Sequence, residues 1–129
     1  MMPSATAEML QVLGYLYLRF GQYRRALALL QVAAREAPED PGVLRSLAYA
    51  LVLNKAPEEA LAVIEKLTSL EPSSRQAARL LESRALLLQG RTSEARRSFR
   101  QFVDQRAQQR GGEDLPAEGA AQAGRGWSA

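Results

Sequence analysis

Residues 7–40, AEMLQVLGYLYLRFGQYRRALALLQVAAREAPED, decide the fold of this chain. The stretch contains two segments of apolar periodicity separated by Gly21, and Pro38 follows the second segment. Apolar residues that recur every three or four positions form one face of a helix, and glycine tolerates the left-handed conformation that ends one. The stretch therefore predicts two antiparallel helices. We expect the helices to cross closely at Gly14 and Ala26, where only small side chains fit.

The same pattern recurs 34 residues later in residues 41–74, PGVLRSLAYALVLNKAPEEALAVIEKLTSLEPSS, without an insertion. Eight positions match, which are Leu10, Leu13, Gly14, Tyr17, Ala26, Leu30, Ala33 and Pro38 in the first copy and Leu44, Leu47, Ala48, Leu51, Ala60, Ile64, Leu67 and Pro72 in the second. A third, looser copy covers residues 75–110. In that copy Ser83 and Ala95 keep the small pair twelve residues apart, whereas Glu82 stands where a leucine recurs.

This spacing of small and large residues resembles the tetratricopeptide repeat (TPR) family. The resemblance implies an all-α solenoid of about three helix-turn-helix repeats, six helices in all, over residues 7–110. The third copy is then a degenerate terminal repeat, since a terminal repeat has only one neighbour. In the second copy residues 54–56, Asn-Lys-Ala, replace the glycine turn, and we expect Asn54 to be the left-handed residue. Residues 1–6 are expected to form a flexible leader, and the glycine-rich residues 111–129 a disordered tail.

The composition argues against an enzyme. The chain has no cysteine and no histidine, which removes thiol nucleophiles, disulfides, the usual zinc ligands and the commonest general base. The closest pair of carboxylates, Glu58 and Glu59, follows Pro57 in what we expect to be a first helical turn. Acidic residues in a first turn stabilise the helix dipole. We therefore expect no catalytic residue, no metal site and no cofactor.

The hydropathy pattern indicates a cytoplasmic protein without a membrane insertion. The longest apolar run, residues 47–53, is far shorter than the roughly 18 residues that span a bilayer. Residues 1–10 lack a basic region followed by an apolar core, so no secretion signal is expected.

The concave face that the TPR resemblance implies is the candidate binding site, and we call it the trough. Counting from the repeat starts, the first helix of each repeat contributes to the trough Tyr15, Leu18, Arg19, Arg45, Tyr49, Val52, Leu53, Leu80, Arg84, Leu87 and Leu88. Most of its aliphatic residues are not required by the repeat core, and contiguous exposed apolar groups mark binding sites. The alternative is that the next repeat or a dimer partner covers some of them.

The trough predicts a protein partner rather than a small-molecule substrate. It suits an amphipathic helix or an extended apolar segment of another chain, with its arginines available to acids or carbonyl groups of that chain. Some TPR proteins grip an acidic C-terminal tail through lysine and asparagine side chains. This sequence has Gln11, Tyr15 and Ser46 at such positions, so binding of that kind is not expected.

Charge is concentrated in the third copy. Residues 75–110 carry nine arginines and three acids, a net charge of +6, and four of the arginines cluster in the sixth helix at Arg91, Arg96, Arg97 and Arg100. A basic helix can contact phosphates, but we interpret the aromatic residues beside it, Phe99 and Phe102, as core. A solvated face or a docking site for an acidic protein is therefore favoured over nucleic acid, and an RNA-associated protein stays as a third alternative.

Two stretches carry a finer resemblance. LGYLYLRFGQYRRALALLQ at residues 13–31 and ESRALLLQGRTSEARRSF at residues 82–99, with repeats that start close to Met1, resemble the SctY (YscY) family of small TPR chaperones of bacterial type III secretion. The resemblance implies a chaperone that holds a small secreted SctX-like partner in the trough and delivers it to the export gate. A general TPR scaffold that bridges stable proteins is the alternative. A homodimer of the free protein through the trough is also left open.

Overall fold

The computed structural model describes residues 5–112. Its helices are α1 (Ala5–Arg19), α2 (Tyr23–Glu36), α3 (Pro41–Leu53), α4 (Pro57–Leu70), α5 (Arg75–Leu88) and α6 (Thr92–Gly112), and a 3₁₀ turn at Pro72–Ser74 precedes α5. Three helical hairpins, α1–α2, α3–α4 and α5–α6, stack in chain order through contacts of α2 with α3 and of α4 with α5. No strand occurs within residues 5–112. The predicted all-α fold of six helices is confirmed.

The first helix of each hairpin ends at a left-handed residue. These residues are Gly21, Lys55 and Gly90, with φ of 78°, 59° and 76°. In all three turns the amide of the next residue donates to the carbonyl five positions earlier, at 2.9 Å, which is the Schellman arrangement. Equivalent positions are therefore 34 residues apart in the first two hairpins and 35 apart in the second and third.

The expectation of a left-handed Asn54 is wrong by one residue. Asn54 has φ of −88°, and its side-chain amide donates to the carbonyls of Tyr23 at 2.8 Å and Ala50 at 2.7 Å. These two hydrogen bonds hold Asn54 at the end of α3, so the reversal falls on the exposed Lys55.

The two terminal helices extend beyond the predicted repeat domain. Helix α1 begins at Ala5, inside the predicted leader, and α6 continues to Gly112, inside the predicted tail. The first turn of α1 is held by packing, since Ala7 is fully buried. The rest of the predicted leader, residues 1–4, and the rest of the predicted tail, residues 113–129, lie outside the described residues. None of the described helices is both long and apolar enough to cross a membrane.

Small residues set the distance between paired helices. A Cβ placed on Gly14 would lie only 2.7 Å from Cγ of Leu30, and Leu30 is fully buried on α2. The equivalent alanines of the second helices, Ala26, Ala60 and Ala95, are buried in all three hairpins. The close approach predicted at Gly14 is confirmed, and Ala26 is fully buried. One continuous core cluster joins α1 through α5.

Candidate protein-binding surface

An apolar cavity lies between the C-terminal ends of α3 and α5. It measures about 410 Å³ and is lined by Val52, Leu53, Lys55, Arg84, Leu87 and Leu88. We call it the α3–α5 cavity. Five of these six residues belong to the predicted trough, so the structure brings together part of what the second and third repeats contribute. The predicted trough residues Arg45, Tyr49 and Leu80 do not line this cavity. An aliphatic lining with two cations beside it suits an apolar segment that also carries acidic residues.

Two residues of the predicted trough belong to the core instead. Leu18 and Val52 each expose only 6% of their surface, so the expectation that they are exposed is wrong. The equivalent residue of the third hairpin, Leu87, is 56% exposed, and no further hairpin follows it within the described residues. The next hairpin is therefore what buries Leu18 and Val52. Val52 still forms part of the wall of the α3–α5 cavity.

The first repeat contributes a separate surface. Tyr15 is exposed, and the guanidinium of Arg19, one helical turn later, lies 6.0 Å from the centroid of its ring, within range of a cation–π contact. Neither residue lines the α3–α5 cavity. Tyr49 is half-buried and packs against the core cluster, so only Tyr15 of the two trough tyrosines is exposed.

The arginines of the predicted trough are not equally available. Nη2 of Arg45 lies 3.1 Å from Oε1 of Glu71, which neutralises that charge within the chain. Arg19 lies over the ring of Tyr15, away from the α3–α5 cavity. Arg84 lines the α3–α5 cavity and forms no ion pair within the described residues. Of the three arginines, it is the one we expect to attract an acidic group of a partner.

A second apolar cavity lies between α5 and α6 and adjoins the first, since Arg84 and Leu87 line both. It measures about 430 Å³, and its lining is Leu80, Ser83, Arg84, Leu87, Thr92, Ala95, Arg96 and Phe99. We call this surface the α5–α6 end face. The interpretation of Phe99 as core is wrong, since its side chain is 48% exposed; its ring stacks on Phe102 with centroids 6.4 Å apart. Leu80 and Leu87 of the predicted trough therefore lie beside α6.

A polar groove of about 490 Å³ separates α4 from α6 and contains charges of both signs, including Glu65, Arg79 and Arg97. At its edge Nε of Arg91 donates to Oε1 of Glu94 at 3.2 Å, and Nη2 donates to Oε2. These hydrogen bonds lower the pKa of the Glu94 carboxyl and raise the pKa of Arg91. Arg91 is therefore paired within the chain, which reduces the predicted basic cluster.

Comparison with known families agrees with this geometry. The sequence model of the Tetratricopeptide repeat family matches residues 17–83, more than half of the chain, and the match includes all of α2, α3 and α4. This chain belongs to the tetratricopeptide repeat family. No curated protein matches the sequence. Since tetratricopeptide repeats mediate protein–protein interactions, the TPR array is a scaffold for a protein partner.

The sequence analysis missed an apolar face on the first helix of the TPR array. Five exposed side chains form this α1 outer face: Met9, Val12, Leu13, Leu16 and Phe20. Their spacing of three and four residues puts them on one side of the helix. A comparison of equivalent positions could have found this face. In the second repeat such positions contact the preceding hairpin, and α1 has no preceding hairpin among the described residues.

Proposed function

We propose that this TPR protein is a non-enzymatic chaperone that sequesters an apolar helix or extended segment of another protein. The observation that carries the proposal is the α3–α5 cavity, where Leu53, Leu87 and Leu88 surround about 410 Å³ beside Arg84 and Lys55. Leaving leucines exposed around a cavity is unfavourable for a solitary protein. A partner that buries them recovers that hydrophobic free energy and can pair acids with the two cations.

The proposal extends to type III secretion in a bacterial cytoplasm. The partner would be a small secreted SctX-like protein, and the complex would deliver it to the export gate. Support comes from the resemblance of residues 13–31 and 82–99 to SctY chaperones. A secreted protein that must assemble only after export carries apolar segments that aggregate when uncovered. Occupation of the α3–α5 cavity would keep such a segment covered until delivery.

A general TPR scaffold is the second candidate, and the polar groove between α4 and α6 favours it. That groove lies on a different side of α5 from the α5–α6 end face and contains both acids and arginines. A scaffold would hold one partner through the α3–α5 cavity and a second, charged partner through the groove. The two candidates differ in what they bind, because a chaperone holds one aggregation-prone protein, whereas a scaffold joins two stable ones.

The test compares two variants at similarly exposed leucines. Leu88→Glu places a charge in the α3–α5 cavity, and Leu70→Glu places the same charge at the end of α4; the two leucines are 44% and 41% exposed. Each full-length variant and the wild type capture partners from cells of the source organism, after circular dichroism confirms equal helicity. We expect wild type and Leu70→Glu to retain a small secreted protein and Leu88→Glu to lose it.

Other outcomes separate the parts of the proposal. If Leu88→Glu retains the same partner as wild type, the α3–α5 cavity is not the binding site. If the captured partner is not secreted, type III secretion is the wrong setting and the scaffold is favoured. Simultaneous capture of two folded proteins, one of them lost on substitution in the α4–α6 groove, also favours the scaffold.

A further inference from the structure

Two apolar faces lie at opposite ends of the array. The α1 outer face belongs to the first helix, which contacts only α2 and α3 among the described elements, and the α5–α6 end face involves the last helix, which contacts only α5. Both are unpartnered within residues 5–110. Within those residues the chain contains two contacts between successive hairpins, of α3 with the first hairpin and of α5 with the second. The two end faces correspond, position by position, to the two surfaces that meet in each of those contacts.

The first of these surfaces lies on the first helix of a hairpin (α1, α3 or α5) and packs against the hairpin before it. In α3 that face includes Leu47 and Ala50, which are buried in one cluster with Leu18 and Leu30 of the first hairpin. Their equivalents in α1, 34 residues earlier, are Leu13 and Leu16, which are 41% and 44% exposed. In the third hairpin the equivalent of Ala50 is Ala85, which is also fully buried. The α1 outer face is therefore the surface that a preceding hairpin would cover.

The second of these surfaces lies on a hairpin and packs against the first helix of the hairpin that follows. In the first hairpin it includes Leu18, Ala26 and Leu30, which share one buried cluster with Leu47 and Ala50 of α3. Their equivalents in the third hairpin are Leu87, Ala95 and Phe99, and all three line the α5–α6 end face. Ala95 is buried, whereas Leu87 and Phe99 are exposed.

The second hairpin repeats the same contact. Val52 and Ala60 share the buried cluster with Ala85 of α5. The hydrogen bond from Asn54 to the Tyr23 carbonyl shows that the C-terminal end of α3 lies beside the start of α2. Phe20, at the end of α1, is the equivalent of Asn54. Thr92, at the start of α6, is the equivalent of Tyr23. By this equivalence, Phe20 of an incoming α1 would lie beside Thr92, which also lines the α5–α6 end face.

We infer that the α5–α6 end face binds the α1 outer face of a second copy of this chain, so that copies stack head to tail. The incoming α1 takes the place that α3 has on the first hairpin and α5 on the second. The two faces are different, so the contact is heterologous and each copy keeps one face open for another copy. This contact goes beyond the proposed partner binding. The two surfaces adjoin at Arg84 and Leu87, which line both cavities, but the test positions Leu16 and Phe99 lie outside the α3–α5 cavity.

The contact is weaker than the two internal ones. The end face has Arg96 where the inner hairpins have the half-buried Leu27 and Leu61, and covering an arginine costs more than covering a leucine. Leu16 is also larger than Ala50 and Ala85, which make the internal contacts. The stacking is therefore reversible and depends on protein concentration.

The test uses complementation between two variants of the full chain, Leu16→Glu and Phe99→Glu. Leu16→Glu disables the α1 outer face, and Phe99→Glu disables the α5–α6 end face. In sedimentation equilibrium the average mass of the wild type should rise with concentration beyond twice 14.2 kDa. Each variant alone should keep the monomer mass. An equal mixture should reach about twice that mass and stop there, because one intact face of each kind remains.

Val32→Glu is the matched control. Val32 is exposed, and its equivalents Lys66 and Gln101 are exposed as well, so it belongs to neither face and should associate as the wild type does. Circular dichroism checks that all variants are folded. If either glutamate variant unfolds, Met9→Glu or Phe99→Gln replaces it.

Three results would overturn the inference. A wild type that stays monomeric up to its solubility limit means that nothing, or residues 113–129 of the same chain, covers the end face. Association that Leu16→Glu abolishes and Phe99→Glu leaves intact means that two α1 helices pair symmetrically. A mixture of the two variants that stays monomeric means that the two faces do not bind each other.

Discussion

Replacing Gly14 by alanine tests the packing on which the whole array depends. Alanine in place of glycine in the middle of a helix ordinarily stabilises by about 0.8 to 1.0 kcal/mol. At Gly14, however, the added Cβ would lie 2.7 Å from Cγ and 3.0 Å from Cδ2 of Leu30, and Leu30 is fully buried. Overpacking of this kind costs about 1 to 3 kcal/mol. We therefore expect a net loss of about 1 kcal/mol in the free energy of unfolding.

The assay is urea denaturation followed by far-UV circular dichroism, with Ala28→Gly as the control. Ala28 lies on the exposed face of α2, so Ala28→Gly measures the helix-propensity effect without a change in packing and should cost about 1 kcal/mol. If Gly14→Ala instead raises the free energy of unfolding by the amount that Ala28→Gly lowers it, no close crossing of α1 and α2 exists at Gly14. The helix pairing described above would then be wrong.

Two further predictions concern the turns and the surface. Lys55→Gly should raise the free energy of unfolding by up to about 1 kcal/mol in the same assay, because Lys55 has φ of 59° and a left-handed conformation costs an L-residue roughly 1 to 2 kcal/mol; a loss of stability would contradict this. The hydrogen bonds from Arg91 lower the pKa of Glu94, so they stabilise the fold above the ordinary carboxyl pKa, and this contribution disappears as the pH falls through the lowered value. Wild type should therefore be more stable than Glu94→Gln at neutral pH and lose that advantage in acid, whereas a difference independent of pH would contradict the assignment.

The repeat and its helices could be predicted from the sequence because the signals are local. Small residues at Gly14 and Ala26, the turn at Gly21 and the helix-starting prolines each act through the backbone or through the nearest helix. The same kinds of residue recur 34 positions later in the second copy, which supports the repeat independently of the first copy. The error at Asn54 arose because its hydrogen bond to the Tyr23 carbonyl spans two hairpins, and no local pattern shows such a contact.

The trough was predicted less well because exposure depends on how hairpins stack. Leu18, Val52 and Leu87 are aliphatic residues at equivalent positions, yet the first two are core and the third is surface. The difference lies in whether a following hairpin covers the position. The pairing of Arg45 with Glu71 joins residues 26 positions apart, and only the folded array reveals that this arginine is already paired.

The α1 outer face and the α5–α6 end face also show that exposure depends on a neighbouring hairpin. Leu16 and Phe99 match positions that the repeat pattern assigns to contacts between hairpins, but at the ends of the described array the neighbouring hairpin is missing. Leu16 is equivalent to Ala50 and Phe99 to Ile64, and Ala50 and Ile64 are buried. All four residues are apolar, so residue type does not tell the exposed pair from the buried pair. Only their position at an end of the stack makes them surface.

The central claim is that a protein partner occupies the α3–α5 cavity, and crosslinking in cells tests it most directly. A photoreactive amino acid placed at Leu88 or at Leu53 lines that cavity, and the same residue at Leu70 lies on exposed surface at the end of α4. We predict that one small protein crosslinks from both Leu88 and Leu53 and not from Leu70. A protein that crosslinks from Leu70 while Leu88 and Leu53 yield no adduct would contradict the claim.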